Sequence, residues 1–245
     1  MPARVLIHVQ HLLGIGHLKR AATLARGLAA AGLEVTLASG GMPVSGIDIG
    51  AARLLQLPAA RAVDTSFKVL VDADGRPIDD AWRERRRQAL IEAYATIRPQ
   101  LLVVEMFPFG RRAFRFELLP LLERAQADRV PVFGSVRDIL VHRPRPDREA
   151  EFLETVRRWF DRILVHGDRS FAPLELSFPL AREIADKLAY TGYLLDLPAV
   201  QRSDPRRGWT LGGGRSREGT RLDDHPLPDP RRGWTLGGGG DHPLP

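Results

Sequence analysis

Short apolar segments alternate with segments of helical periodicity along residues 1–195, and this alternation limits the possible folds more than any other feature. Strands are predicted at 4–10, 34–39, 53–57, 101–105, 130–135, 162–166 and just before Gly192. Helices are predicted from 18 to a stop at Gly32, from Asp79 or Asp80 to a stop before Pro99, and at 114–127, 149–160 and 180–187. Such alternation is typical of parallel strands joined by crossover helices. The sequence therefore predicts an α/β fold, an open parallel sheet with helices on both faces.

The composition excludes several kinds of chemistry. The chain has 245 residues, of which 44% are hydrophobic, so it can bury a substantial core. It contains no cysteine, which rules out disulfides, thiolate metal sites and a cysteine nucleophile. We expect neither a metal nor a cofactor.

The net charge and the length of the apolar runs indicate where the protein is located and which classes of partner it binds. No apolar run approaches the roughly 18 residues of a membrane-spanning helix, and no export signal is recognisable. The net charge of +6 arises from 36 basic and 30 acidic residues, without a known nucleic-acid-binding motif. We therefore expect anionic small molecules or a phospholipid surface as partners rather than nucleic acid. A cytoplasmic location is expected, which could include peripheral contact with the inner face of the membrane.

The last fifty or so residues differ from the rest. The segment Asp-Pro-Arg-Arg-Gly-Trp-Thr-Leu-Gly-Gly-Gly occurs at 204–214 and again at 229–239, and His-Pro-Leu-Pro occurs at 225 and 242. Such Gly- and Pro-rich sequence lacks the apolar content that offsets the ordering entropy. We predict one domain over 1–197 and a disordered tail over 198–245. A repetitive gene segment read in an unintended frame would produce the same pattern.

The loop after the first strand, residues 11–18, contains Gly14, Gly16 and His17 where a helix begins. Free N–H groups at a helix N-terminus attract phosphate and other anions, and the glycines allow a ligand to approach the backbone. The helix dipole favours a neutral His17, which could act as a base. The alternative is a tight turn with a capping or solvent-facing histidine. Neither the third glycine of a dinucleotide-binding motif nor the Lys-Ser/Thr pair of a P-loop is present.

Polar residues follow the later strands at the sheet edge where open α/β sheets bind ligands. A carboxylate beside two guanidinium groups could bind acceptor hydroxyls and phosphate, or could be a structural ion pair that secures the loop. The predicted substrate-binding residues at this edge are Glu105, Arg111, Arg112, Ser135, Arg137, Asp138 and His166.

Two further features have alternative interpretations. The basic segment from Trp82 to Arg87 could contact anionic lipid or could be a solvated helix face. Phe107 and Phe109 could stack on a sugar ring, although core packing is the simpler expectation. His8, inside the first strand, is expected to be a core histidine.

The loop at 11–18 and the segment Glu-Met-Phe-Pro-Phe-Gly-Arg-Arg at 105–112 together resemble the bacterial family-28-like glycosyltransferases, relatives of the peptidoglycan N-acetylglucosaminyltransferase. Supporting stretches lie at 114–122, 135–140, 164–168 and 190–193, so the resemblance covers residues 1–197. It implies the N-terminal half of a GT-B fold, in which two Rossmann-like domains face each other across a cleft. It also implies inverting, metal-independent transfer from a nucleotide-sugar to an acceptor hydroxyl, with Gly14, Gly16 and His17 against the phosphates.

The resemblance further implies a second Rossmann-like domain that binds the nucleotide-sugar, and residues 198–245 do not resemble one. We therefore expect a truncated transferase that is inactive alone, or one that needs a partner chain with the donor domain. The acceptor could be lipid-linked, with peripheral membrane contact. A non-catalytic sugar- or phosphate-binding module is the alternative function. A sugar epimerase of another Rossmann group would need a third glycine and a Tyr-x-x-x-Lys pair, which the sequence lacks.

Overall fold

The computed structural model describes residues 1–140 and 146–195; the predicted tail over 198–245 lies outside these ranges. The strands are β1 (Arg4–Val9), β2 (Glu34–Ser39), β3 (Arg53–Gln56), β4 (Ala60–Ala62), β5 (Leu70–Asp72), β6 (Leu101–Glu105), β7 (Val132–Arg137), β8 (Arg162–His166) and β9 (Leu188–Tyr190). The α-helices are α1 (Gly16–Ala30), α2 (Asp80–Ile97), α3 (Arg115–Ala127) and α4 (Pro146–Trp159). Three 3₁₀ segments lie at Arg112–Phe114, Leu174–Leu176 and Pro179–Lys187.

Within the described ranges, seven strands form one parallel sheet in the order β3-β2-β1-β6-β7-β8-β9. The chain builds outward from β1 through β2 to β3, then crosses by α2 to the other side of β1 and continues from β6 to β9. The direction of strand addition therefore reverses between β1 and β6. The predicted Rossmann-like α/β fold is confirmed.

Each face of the sheet has its own buried core, because alternate side chains of a strand point to opposite faces. Val5, Ile7 and Val9 of β1 pack against the face of α1 that carries Ala21 and Ala25. The opposite face is covered by a larger apolar cluster to which β1, α2, α3 and α4 all contribute. Small alanines on α1 allow that helix to lie close to the sheet.

The predicted bounds of β2, β6 and β8 agree with the structure, whereas β7 begins at Val132 rather than at Val130. Here the N–H of Val130 donates to the carbonyl of Ala125 and so belongs to the end of α3. Pro131 follows, and it has no N–H to donate. The predicted last helix is a 3₁₀ segment, Pro179–Lys187, interrupted by non-helical backbone at Ile184.

The structure contains a two-stranded antiparallel hairpin of β4 and β5 that the sequence analysis did not predict. Each strand has only three residues, too few for a period-two pattern to be recognised. The connecting loop contains Phe67, whose backbone has φ of +56°. This conformation is unusual for an aromatic residue.

The basic segment at the start of α2 is not a lipid-facing surface as a whole. The carboxylate of Asp79 caps the helix by accepting from the N–H of Trp82 at 2.7 Å. Trp82 and Arg86 are buried in the core, whereas Arg83 and Arg87 pair on the outside with Asp80 and Glu84, respectively. Within residues 1–140 and 146–195, no helix combines the length and apolar content needed to cross a membrane.

Candidate functional site

The candidate site lies at the carboxyl ends of β1 and β6, where strand addition changes direction. Ligands of open α/β sheets bind in the crevice at this position. The loop after β1 leads into α1, whose second residue is His17, and β6 ends at Glu105. The two side chains meet although 88 residues separate them in sequence, because β6 pairs directly with β1.

Glu105 is a buried carboxylate surrounded by hydrogen-bond donors. Its Oε1 lies 3.1 Å from Nδ1 of His17 and accepts from Nε of Arg20 at 2.9 Å, with a second, closer contact from Nη2 of Arg20. Its Oε2 accepts from the hydroxyl of Ser135 at 2.5 Å. Burial acts to raise the pKa of Glu105, but these hydrogen bonds and the charge of Arg20 outweigh it and hold the pKa below its ordinary value. Glu105 is therefore a fixed anion.

His17 lies between this anion and the solvent, with 24% of its side chain exposed. Burial lowers the pKa of His17, and the hydrogen bond with Glu105 opposes the shift only in part. The direction agrees with the expectation from the helix dipole, but desolvation is the main cause. A neutral imidazole whose Nδ1–H donates to a carboxylate keeps a lone pair on Nε2, as a general base requires.

A cleft of about 310 Å³ opens above this pair. Its lining consists of Leu12, Leu13, Gly14, Gly16, His17, Arg20, Phe67, Arg111 and Arg137. Three arginines and no acidic residue are among these groups, so the cleft favours anions. A second cavity of about 320 Å³ adjoins at the hairpin and shares Phe67.

The described fold does not require a glycine at the position of Gly14 or at that of Gly16. Neither has a positive φ, and a Cβ atom built on either would meet no heavy atom within 4 Å. A tight turn therefore does not explain these glycines. The open space above them lets a ligand approach the backbone of the loop.

Arg111 is a half-buried cation at the cleft. Its Nε donates to the backbone carbonyl of Gln10 at 2.6 Å. Among the described residues no carboxylate lies within ion-pair distance of its guanidinium group. Arg137 donates from Nε to the carbonyl of Ile139 and likewise has no acidic partner in the described ranges. The charges of these two arginines are thus available to a ligand.

Ser135 and His166, both predicted to bind substrate, are buried beside Glu105. The Oγ atom of Ser135 lies 2.9 Å from Nε2 of His166, and Nδ1 of His166 lies 2.7 Å from Oγ1 of Thr191. Burial lowers the pKa of His166 to about 4, so this imidazole is neutral at pH 7. These side chains contact one another in the structure.

Glu105, Ser135 and His166 lie beneath the cleft rather than in its lining, and two other predicted substrate-binding residues lie outside both the lining and this buried group. Arg112 is exposed and forms an ion pair with Glu151 at 2.6 Å. Asp138 accepts a hydrogen bond from the N–H of Ile139. Phe107 is buried in the core, in agreement with the simpler expectation for it.

The sequence analysis missed three residues of the site, namely Arg20, Phe67 and Thr191. Arg20 lies three residues after His17, so helical spacing could have placed both on one face of α1. Phe67 and Thr191 offered no such signal. In the part of the chain that the structure describes, no group of three or more His, Asp or Glu residues is arranged to hold a metal ion.

No protein-family model matches the sequence, and no curated protein matches it. Solved structures do match, and they define the fold class as the Rossmann-like N-terminal domain of a GT-B arrangement. The glycosyltransferase of kitacinnamycin matches 82% of this chain and 54% of its own, with a TM-score of 0.50 and 16% identity. At this identity the likeness shows the fold alone.

Two further solved structures match with lower TM-scores. A UDP-bound transferase from Siraitia grosvenorii has 18% identity and a TM-score of 0.44, covering 80% of this chain and 52% of its own. The UDP-N-acetylglucosamine 2-epimerase from Rickettsia bellii has 11% identity and a TM-score of 0.45, covering 79% and 46%. The present chain thus spans about half the length of the solved structures it matches.

Proposed function

We propose that this chain supplies the acceptor-binding half of a glycosyltransferase in which His17 is the general base. The observation that carries the proposal is the His17–Glu105 pair, which lies beneath a cationic cleft at the point where strand addition reverses. The fold alone does not determine an activity, so the proposal depends on this site. The resemblance of the loop at 11–18 to glycosyltransferases supports it.

In the proposed reaction, an acceptor hydroxyl gives its proton to Nε2 of His17 as its oxygen bonds to the anomeric carbon of the donor. The bond from that carbon to the donor phosphate breaks, the configuration inverts, and a nucleoside diphosphate leaves. Glu105 accepts from Nδ1–H of His17 and stabilises the imidazolium that forms. No metal or cofactor takes part in this scheme.

The cations of the cleft support an anionic ligand. Arg111 and Arg137 line it with no carboxylate at ion-pair distance among the described residues, and the N-terminus of α1 adds backbone N–H groups. We propose that these groups hold the phosphate of a phosphorylated sugar substrate, at the backbone of Gly14 and Gly16.

We further propose that the donor site belongs to a second Rossmann-like domain. The half-length match to the solved structures supports this part of the proposal. Such a domain could be encoded downstream of codon 197 or belong to a partner chain. We propose that residues 1–197 do not catalyse transfer without this second domain. A cytoplasmic location, and an acceptor that is lipid-linked, are proposed from the composition and the resemblance.

Binding and turnover can be tested separately. In the full chain, titration with a hexose 1-phosphate should shift the amide NMR signals of Gly14, Gly16 and His17. UDP- and GDP-hexoses should release no nucleoside diphosphate with the chain alone, since release would contradict a separate donor half. Addition of the donor half should produce transfer.

Transfer should disappear in His17→Gln, because an amide cannot act as a base. Lys19→Gln on the same helix turn is the matched control, since Lys19 is exposed and does not line the cleft. Ligand binding without transfer, even with the donor half present, would favour the non-catalytic binding module instead.

A further inference from the structure

Four polar side chains form a continuous row along the carboxyl ends of β6, β7, β8 and β9. Glu105 and Ser135 are partners in the register of neighbouring strands, and their side chains are 2.5 Å apart. Ser135 lies 2.9 Å from His166, and His166 lies 2.7 Å from Thr191. The row runs from exposed Thr191 to the buried carboxylate that contacts His17.

The chemistry of these groups fixes the direction of every hydrogen bond in the row. Glu105 is ionised and can only accept, so the hydroxyl of Ser135 donates to it. Ser135 Oγ then accepts from Nε2–H of His166, because its own proton is already engaged. A neutral imidazole carries one proton, which leaves Nδ1 of His166 to accept from the hydroxyl of Thr191.

We propose that Ser135, His166 and Thr191 are positioning residues that hold the carboxylate of Glu105 in the orientation His17 needs as a base. The proposal rests on the proposed function for what the base does. Its structural content does not depend on catalysis.

The orientation matters because Arg20 competes for the same nitrogen. Nη2 of Arg20 lies 2.9 Å from Nδ1 of His17, as well as in contact with Oε1 of Glu105. If Nδ1 of His17 accepted from Arg20, the proton would lie on Nε2 and the imidazole could not serve as a base. Because Ser135 engages Oε2, Oε1 remains directed at His17 and favours the Nδ1–H tautomer.

The test is the tautomer of each imidazole, measured through ¹⁵N shifts of the histidine rings in the full chain. Signals can be assigned with single His→Gln variants. In the unchanged protein, His17 should be the Nδ1–H tautomer and His166 the Nε2–H tautomer, with no titration of His166 above about pH 5.

Ser135→Ala removes the donor to Oε2. The carboxylate can then rotate away from Nδ1 of His17, so the ratio of the His17 tautomers should shift measurably toward Nε2–H. Ser135→Thr keeps a hydroxyl and should restore the original ratio. Ser177→Ala is the matched control, because Ser177 contacts the backbone of Asp138, Leu140 and Leu174 and is not part of the row.

A second variant, Thr191→Val, keeps the proposal testable if Ser135→Ala does not fold. Thr191→Val removes only the hydroxyl at the exposed end of the row, and it should shift His166 toward the Nδ1–H tautomer. Unchanged tautomers of His17 in folded Ser135→Ala, or of His166 in Thr191→Val, would overturn the proposal. If the tautomers are as expected but no transfer occurs with the donor half present, the proposal for the row stands. Only the proposed function is then refuted.

Discussion

The guanidinium group of Arg86 and the carboxylate of Glu117 form an ion pair that is wholly inaccessible to solvent, with Nε and Oε2 2.7 Å apart. The same guanidinium donates to the backbone carbonyls of Gly40 and Pro58 and to the side chain of Gln10. Arg86 thereby ties α2 to the loops that follow β1, β2 and β3. These loops follow the carboxyl ends of the strands, at the sheet edge that carries the candidate site.

Replacement of Arg86 by Met should destabilise the fold strongly. The carboxylate of Glu117 would remain buried without its cation, which typically costs about 3–5 kcal/mol in the free energy of unfolding. Denaturant unfolding measures this loss. Addition of Glu117→Gln to Arg86→Met should recover part of it.

Arg157→Met is the control for this measurement, because Arg157 pairs with Glu183 at an exposed position. Its effect should stay below about 1 kcal/mol. Equal effects of the two substitutions would show that the buried pair makes no special contribution.

Gly16→Ala should separate ligand binding from folding. A Cβ atom at Gly16 meets no protein atom, and the backbone there is not left-handed. The free energy of unfolding should therefore be unchanged or raised by up to about 1 kcal/mol. The affinity for a hexose 1-phosphate should fall, because the methyl group occupies the space of the ligand.

Gly40→Ala provides the contrast, since its Cβ would overlap the guanidinium of Arg86 and the side chain of Gln10. This variant should unfold at lower denaturant concentration. Undiminished phosphate binding in Gly16→Ala would contradict an anion site at the loop.

His166 should make the stability of the domain depend on pH below neutrality. Its pKa is about 4 in the folded protein and 6.5 in the unfolded chain. Between these values the unfolded state binds a proton that the native state excludes, so the contribution is fully present above pH 6.5 and is lost as the pH falls. The shift corresponds to on the order of 3 kcal/mol between pH 7 and pH 4.

His166→Gln can still donate to Ser135 but does not titrate. The free energy of unfolding of the unchanged protein should therefore fall more steeply from pH 7 to pH 4 than that of the variant. Parallel curves would mean that His166 keeps an ordinary pKa in the fold.

Arg111→Gln should weaken the binding of a hexose 1-phosphate about tenfold, because a charge-assisted hydrogen bond is lost. Calorimetric titration at low and high salt measures the effect, and salt should reduce the difference. The neighbouring Arg112→Gln is the matched control, since Arg112 pairs with Glu151 outside the cleft lining. An equal loss in both variants would restore Arg112 as a binding residue.

The sheet edge that carries the site could be predicted from sequence, whereas the contacts at that edge could not. Strands that alternate with helices are parallel, so Glu105, Ser135 and His166 had to follow their strands at one edge. That His17 meets Glu105 depends on β6 lying beside β1, and a sequence pattern does not give the strand order. The row from Glu105 to Thr191 depends on the same order.

The burial of Arg86 also could not be predicted from the sequence pattern. A run of arginines beside Trp82 resembles a surface segment, because charged residues are rarely buried without a partner. The partner, Glu117, lies on another helix, 31 residues further along the chain. Only tertiary packing brings the two together.

Because β6 pairs with β1, the chain between them forms an excursion that adds β2 and β3 on one side of β1 and returns to its other side. The hairpin with Phe67 lies within this excursion, and it borders the cleft without joining the main sheet. Under the proposed function, replacement of this hairpin would change one wall of the acceptor cleft without changing the strand order of the main sheet. The pair of His17 and Glu105, which lies on α1 and β6, would keep its geometry through such a replacement.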